Sequence, residues 1–181
     1  VAGEASGDML GAGLIKELRK KNETFLIEGV GGIQLIKMGM KVLYPMERLS
    51  VMGFTEVAGR YFEIRSIRNN LLKYFIESTP VVFVGIDAPD FNLWIEKKLR
   101  KEGIKTVHYV SPSIWAWREY RVKGIGKAAD LVLNLFPFET DIYNKYNVPS
   151  KYVGHPLAAV SYTHLRAHET DSYLVCRLLL E

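Results

Sequence analysis

A carboxylate delivered by a run of hydrocarbon is the sharpest chemical feature of this chain. Val81–Ile86 is apolar throughout, between Pro80 and Asp87. Such a run suits a strand buried on both faces of a parallel sheet. It places Asp87 at the carboxyl edge of that sheet, in the turn Asp87-Ala88-Pro89-Asp90-Phe91-Asn92. Open α/β sheets bind their ligands along that edge. A partly desolvated carboxylate there suits a general base that takes a proton from a hydroxyl. A solvated strand-end aspartate is the other reading, and the turn alone does not separate the two. Pro89 fixes its own backbone angle and removes a donor. Asp90 stands where the N-cap of the next helix is expected.

Two further polar loops follow predicted strands. Gly3-Glu4-Ala5-Ser6-Gly7-Asp8 leads into the first helix. Free N–H groups at a helix start can hold an anion, and glycine lets a ligand close in. The spacing is neither GxGxxG nor a P-loop, and Ser6 acting as a simple N-cap explains the same residues. Ser111-Pro112-Ser113-Ile114-Trp115-Ala116-Trp117-Arg118 sets two tryptophans close together. Their flat faces suit a sugar or a lipid chain, and Arg118 suits a phosphate. A structural plug between helices fits the tryptophans equally. His155, in Gly154-His155-Pro156, follows the predicted strand Lys151–Val153 and is placed to face the cleft, whereas His108 lies inside a strand and reads as a core or rim histidine. Paired cysteines and HExxH are absent, so no metal site is expected.

A surface feature stands apart from these loops. Val51-Met52-Gly53-Phe54 is apolar, and the helix after it carries Arg60, Arg65, Arg68 and Lys73 beside Tyr61, Phe62, Tyr74 and Phe75. Basic groups interleaved with aromatics suit an anionic lipid surface. A core-facing helix with a charged outer face produces the same stripe.

The elements that must position these residues follow from periodicity. Gly7–Lys21 is expected as a helix, with Leu10, Leu14, Ile15 and Leu18 on one face. Phe25–Val30 reads as a strand ended by Gly31-Gly32, then Ile33–Met38 as a short helix and Lys41–Tyr44 as a short strand. Tyr61, Ile64, Ile67, Leu71 and Phe75 recur at helical steps, which predicts a helix over about Arg60–Ser78. Helices at Phe91–Glu102 and Thr140–Tyr146 and strands at Ile104–Val110 and Leu131–Leu135 complete the alternation. Alternating strands and helices give an α/β fold, a parallel sheet with helices on both faces.

Bulk properties agree with one globular domain. The chain has 181 residues, 48% hydrophobic and 24% charged, with a net charge of +4 and a pI of about 9.1. This mild basicity suits an anionic ligand or membrane surface and is too weak to argue for nucleic acid. No apolar run is long enough to span a bilayer. Cys176 is the single cysteine, so no internal disulfide is possible and a reducing compartment fits. Val1 is not a natural start, and VAG reads as the end of a strand that begins upstream.

In order, GEASGD, GIDAPDFN, HYVSPSIWAWR, Leu135-Phe136-Pro137-Phe138-Glu139 and YVGHPLA closely resemble the lipid-A-disaccharide synthase family. The resemblance runs from Val1 to about Ala158. It implies the Rossmann-like N-terminal half of a GT-B fold, on the acceptor side, spanning residues 1–159. The implied activity is that of an inverting hexosyltransferase. It joins UDP-2,3-diacylglucosamine to 2,3-diacylglucosamine 1-phosphate, giving UDP and a β-1′,6-linked lipid A disaccharide 1-phosphate. The implied setting is peripheral, on the cytoplasmic face of a Gram-negative inner membrane, with no cofactor or catalytic metal. The implied partners are the two lipid substrates, that membrane surface and, in the full-length enzyme, a second copy of itself. Nucleic acid is not among them.

Asp87 is then the expected base. Glu4, Ser6, Gly7, Asp8, Asn92, Ser111, Trp115, Trp117, Arg118 and His155 are the expected substrate-binding residues. Val51, Met52, Phe54, Arg60, Tyr61, Arg65 and Arg68 are the expected acyl or membrane contacts. From about Val160 to Glu181 the pattern breaks. That stretch resembles translated adapter read-through and is expected to be foreign, with a genuine C-terminal helix at Tyr173–Leu180 as the alternative. The donor-binding half is expected to be missing, which would leave the fragment inactive alone. A transferase with a soluble acceptor and a non-catalytic lipid- or sugar-phosphate-binding module are the competing readings.

Overall fold

A computed structural model describes residues 1–21, 24–49, 54–114 and 119–155, with side chains omitted for 54–58. Helix α1 (Ala5–Lys21) is followed by β1 (Glu28–Gly31), α2 (Ile33–Lys37), β2 (Lys41–Pro45) and a 3-10 turn at Met46–Arg48. Then come α3 (Phe54–Ser78), β3 (Val82–Ile86), α4 (Pro89–Lys101) and β4 (Lys105–Tyr109). A second 3-10 turn, Glu119–Arg121, runs into α5 (Val122–Ala128), and β5 (Leu131–Asn134), α6 (Pro137–Lys145) and β6 (Ser150–Tyr152) close the described region. The suspected foreign tail, residues 160–181, lies outside the described residues.

Every strand pair is parallel. β1 pairs with β2, and β3-β4-β5-β6 form a second ladder. Val1–Gly3 joins the two. Ala2 N–H donates to the Val30 carbonyl at 2.9 Å, and Ile86 N–H donates to the Val1 carbonyl at 2.9 Å. The array therefore runs β2, β1, Val1–Gly3, β3, β4, β5, β6. Chain order reverses direction between Val1–Gly3 and β3, and such a switch point opens a crevice at the carboxyl ends of its strands.

Helices cover both faces, as the alternation predicts. Leu14 and Ile15 of α1 and Leu35 of α2 pack with Ala2, Ile86, Val107, Tyr109 and Leu133 on one face. On the other, Ile67, Leu71 and Phe75 of α3 pack with Phe83 and with Ile95 and Leu99 of α4. Val122 and Ile125 of α5 and Tyr143 of α6 extend that second face over Val132. β3 is apolar because Phe83 points into one core and Ile86 into the other. Among the described residues, no helix is long and apolar enough to cross a membrane.

Several boundaries differ from expectation: α3 begins at Phe54, six residues before Arg60, and β1 spans Glu28–Gly31 and so takes in the Gly31 expected to end it. α4 starts at Pro89 and α6 at Pro137, earlier than predicted, because proline is preorganised for the first helical position. α1 starts at Ala5, so Ser6 lies in its first turn and is not its N-cap.

Candidate active site

The carboxyl ends of Val1–Gly3 and β3 meet at the switch point. A Cβ built on Gly3 would lie 3.1 Å from Ala88 Cβ, so glycine is what lets the first loop touch the Asp87 turn. Glu4 and Ser6 are exposed beside it, while Gly7 is buried. The Cβ that Gly7 lacks would stand 3.4 Å from the Ile86 carbonyl oxygen.

The Asp87 turn is backbone-strained. Asp87 (φ 53°) and Ala88 (φ 43°) are consecutive non-glycine residues in the left-handed region. One strand over, Val110 (φ 80°) repeats the feature at the end of β4. Each such residue costs about 1–3 kcal/mol, and such strain collects at ligand-binding edges. Asp87 N–H donates to the Tyr109 carbonyl at 2.9 Å, which continues the ladder before the chain turns. The Asp87 side chain is half-buried.

Asp90 is not the N-cap of α4. Ala88 occupies that position, without a side-chain cap, and Asp90 lies in the first turn. Its carboxylate instead accepts from Arg121 Nη2 at 2.8 Å. There it faces the positive end of the helix. Arg121 follows the tryptophan loop, so this exposed ion pair draws the exit of that loop toward the Asp87 turn. Trp115, Trp117 and Arg118 themselves lie outside the described residues.

Two expected substrate contacts have interior duties. Asp8 is 3% exposed. Its Oδ1 accepts from Gly32 N–H at 2.8 Å and Leu35 N–H at 3.1 Å, and its Oδ2 accepts from Gln34 N–H at 2.9 Å. The carboxylate thereby caps α2 from α1, satisfying donors that the start of a helix leaves open. Asn92 has no exposed surface, and its Nδ2 donates at 2.8 Å to the Asp87 carbonyl. Neither side chain lines the cleft. Their type was legible in the sequence, but their direction was not, because helix phase at the first turn decides it.

The loop after β4 is partly described. Ser111 is buried, with its Oγ 3.0 Å from Tyr143 Oη. The next loop carries the Leu135–Glu139 motif, whose residues have no role that the sequence alone reveals. Phe136 and Phe138 stack at 5.7 Å between ring centroids, and both are exposed at the carboxyl end of β5. Glu139 is buried behind them and accepts from Phe136 N–H at 3.1 Å. Burial pushes its carboxyl above the usual carboxylate range, against the pull of that N–H. His155 is half-buried beyond β6, three strands from β3, or about 14 Å at ~4.8 Å per strand.

Beneath the turn lies a buried hydrogen-bonded pair. His108 is a core histidine, and its Nδ1 stands 2.8 Å from Glu96 Oε1, both residues having no exposed surface. Burial pushes the Glu96 carboxyl up, and the neighbouring His108 partly offsets that. Among the described residues, no group of three or more His, Cys, Asp or Glu is placed to hold a metal ion.

On α3 the charged face is partly spoken for. Arg68 stacks over Trp94 at 4.2 Å from the ring centroid. Arg60 donates to Glu63 at 3.1 Å and to the Arg48 carbonyl at 3.1 Å. Tyr61, Phe62 and Arg65 are exposed, Phe62 at 79%. Val51 and Met52 lie outside the described residues, as does the side chain of Phe54.

Residues 1–173 match the lipid-A-disaccharide synthetase family model. The chain is 55% identical over 159 residues to the lipid-A-disaccharide synthase of Francisella philomiragia, which covers 87% of this chain and 42% of that protein. It is 53% identical, over the same shares, to the synthases of Francisella tularensis subspecies tularensis and holarctica. The chain therefore spans less than half the length of the curated relatives it matches.

Proposed function

The chain belongs to the lipid-A-disaccharide synthetase family, and from that premise we propose that it is the acceptor-side half of a lipid glycosyltransferase with Asp87 as its general base. The carrying observation is that the strained Asp87–Ala88 turn abuts Gly3 at the topological switch point of a parallel sheet. In the proposed reaction the 6-hydroxyl of 2,3-diacylglucosamine 1-phosphate attacks the anomeric carbon of UDP-2,3-diacylglucosamine. The new C–O bond forms as the bond to UDP breaks, with inversion. The hydroxyl proton passes to the Asp87 carboxylate, and the departing electron pair leaves with UDP. No metal is invoked, so donors and positive charge must stabilise that leaving group. We assign those groups to the part of the relatives that this chain does not cover.

The remaining cleft residues are read as acceptor contacts. Glu4, Ser6 and the first-turn N–H groups of α1 are proposed to meet the polar sugar or its phosphate. The Ser111 loop and His155 are proposed to extend that wall, with the Phe136–Phe138 stack as an apolar face, and Trp115, Trp117 and Arg118 are proposed as further acceptor contacts on the strength of their motif alone. Asp8 supports the loop through α2. The lipid-facing surface is proposed at Val51–Phe54 and at the exposed Tyr61, Phe62 and Arg65 of α3. This would seat the enzyme peripherally at the cytoplasmic face of the inner membrane.

An acceptor screen with the full-length enzyme carrying this segment tests the reading. Transfer to diacylglucosamine 1-phosphate and none to deacylated glucosamine 1-phosphate is expected. Equal transfer to both would refute a lipid acceptor.

A further inference from the structure

One side chain holds the Asp87 turn from below without reaching the cleft. Asn92 closes the first turn of α4 and is fully buried. Its Nδ2 donates to the Asp87 carbonyl at 2.8 Å and lies 3.3 Å from the carbonyls of Ile86 and Val1. Three acceptors on one side fix the orientation of this amide, because the flipped form would turn Oδ1 against them. Those carbonyls belong to the ends of the two central strands, so Asn92 ties β3, Val1–Gly3 and α4 together at one point. Consecutive left-handed residues persist only where their surroundings over-determine them. Asp87 N–H is held by Tyr109 and its carbonyl by Asn92. With both backbone groups tied, the direction in which the carboxylate leaves the chain is set. Gly85 makes room for the arrangement, since a Cβ there would lie 2.8 Å from Asn92 Cβ and 2.1 Å from Glu96 Oε1.

We propose that Asn92 is a positioning residue for Asp87, acting on the turn and not on substrate. The inference rests on Asp87 being the base, and its test separates the two. Asn92→Ala, Ala88→Gly, the Asn92→Ala/Ala88→Gly double variant and Asp87→Asn are compared in the full-length enzyme, with kcat and both KM values normalised to cooperatively folded protein. Asn92→Ala is expected to lower kcat on the order of 10- to 100-fold, the scale of a misplaced reacting group, with KM within about twofold. Ala88→Gly should restore most of that kcat in the double variant, because glycine enters the left-handed region without the steric cost that Ala88 carries. If Asn92→Ala alone does not fold, the double variant is read against Ala88→Gly, and kcat within about threefold between them is the supporting result.

A raised KM with kcat retained would make Asn92 a substrate contact and overturn the proposal. Unchanged kcat, or a loss that Ala88→Gly leaves unrepaired, would also overturn it, while loss of activity in Asp87→Asn left the base assignment standing. Activity retained in Asp87→Asn would instead remove the base reading, and the inference with it.

Discussion

At the scale of single residues, partners decide what a conspicuous side chain is for. Asp8 and Asp87 look alike in the sequence, as carboxylates in strand-end loops. Asp8 turns inward and satisfies three backbone donors at the start of α2, whereas Asp87 stays half-buried at the rim. Asp8→Ala is therefore expected to cost about 2–4 kcal/mol, the sum of a lost cap and stranded buried donors. Urea denaturation measures it, and a loss below about 1 kcal/mol would contradict the capping role. Glu96 gives a pH prediction. Burial raises its pKa above the ordinary 4.5, so the folded state holds the proton more tightly than the unfolded chain. Its contribution is fully present below pH 4.5 and is lost as pH rises through the raised value. Glu96→Gln cannot ionise, so its stability relative to the parent should climb as pH rises above 4.5. A pH-independent difference in denaturation midpoint would count against this account.

At the scale of elements, periodicity exposed the long helices and the buried strand, and composition hid one helix. The α3 stripe Ile67, Leu71 and Phe75 was legible because a core-facing helix must repeat its apolar residues, and all three are buried. α5 was missed because Gly124 and Gly126 lower its helix propensity. The two glycines are not equivalent. A Cβ on Gly124 meets nothing within 4 Å, whereas one on Gly126 would stand 2.5 Å from Val148 Cγ2. Gly124→Ala should stabilise the chain by about 0.5–1 kcal/mol, and Gly126→Ala should destabilise it by about 1–3 kcal/mol. Thermal melts of the two variants should shift in opposite directions, and a shared sign would refute the assigned packing. The candidate site was legible as three strand-end loops, since an open sheet gathers such loops at one edge. That Asn92 is buried and that Arg121 reaches Asp90 depend on helix phase, which spacing alone does not reveal.

At the scale of the molecule, strand order turns scattered motifs into one edge. Gly3 and Ala88 are far apart in sequence and in contact at the switch point. The same architecture leaves α3 on the outside, with Phe62 and Arg65 exposed. If that surface meets lipid, Phe62→Ser combined with Arg65→Glu should weaken binding of the full-length enzyme to anionic vesicles by roughly fivefold or more, given ~1 kcal/mol per basic residue near such a surface. Sedimentation with anionic and neutral vesicles reads this out, and equal binding by parent and variant would dismiss the surface. The central claim is that the carboxylate of Asp87 takes the acceptor proton. Its most direct test is the steady-state kinetics of the full-length enzyme and of Asp87→Asn, with kcat and both KM values measured on the two lipid substrates. The account predicts a loss of roughly 10²–10⁴-fold in kcat with KM little changed. Retained kcat in Asp87→Asn would contradict it.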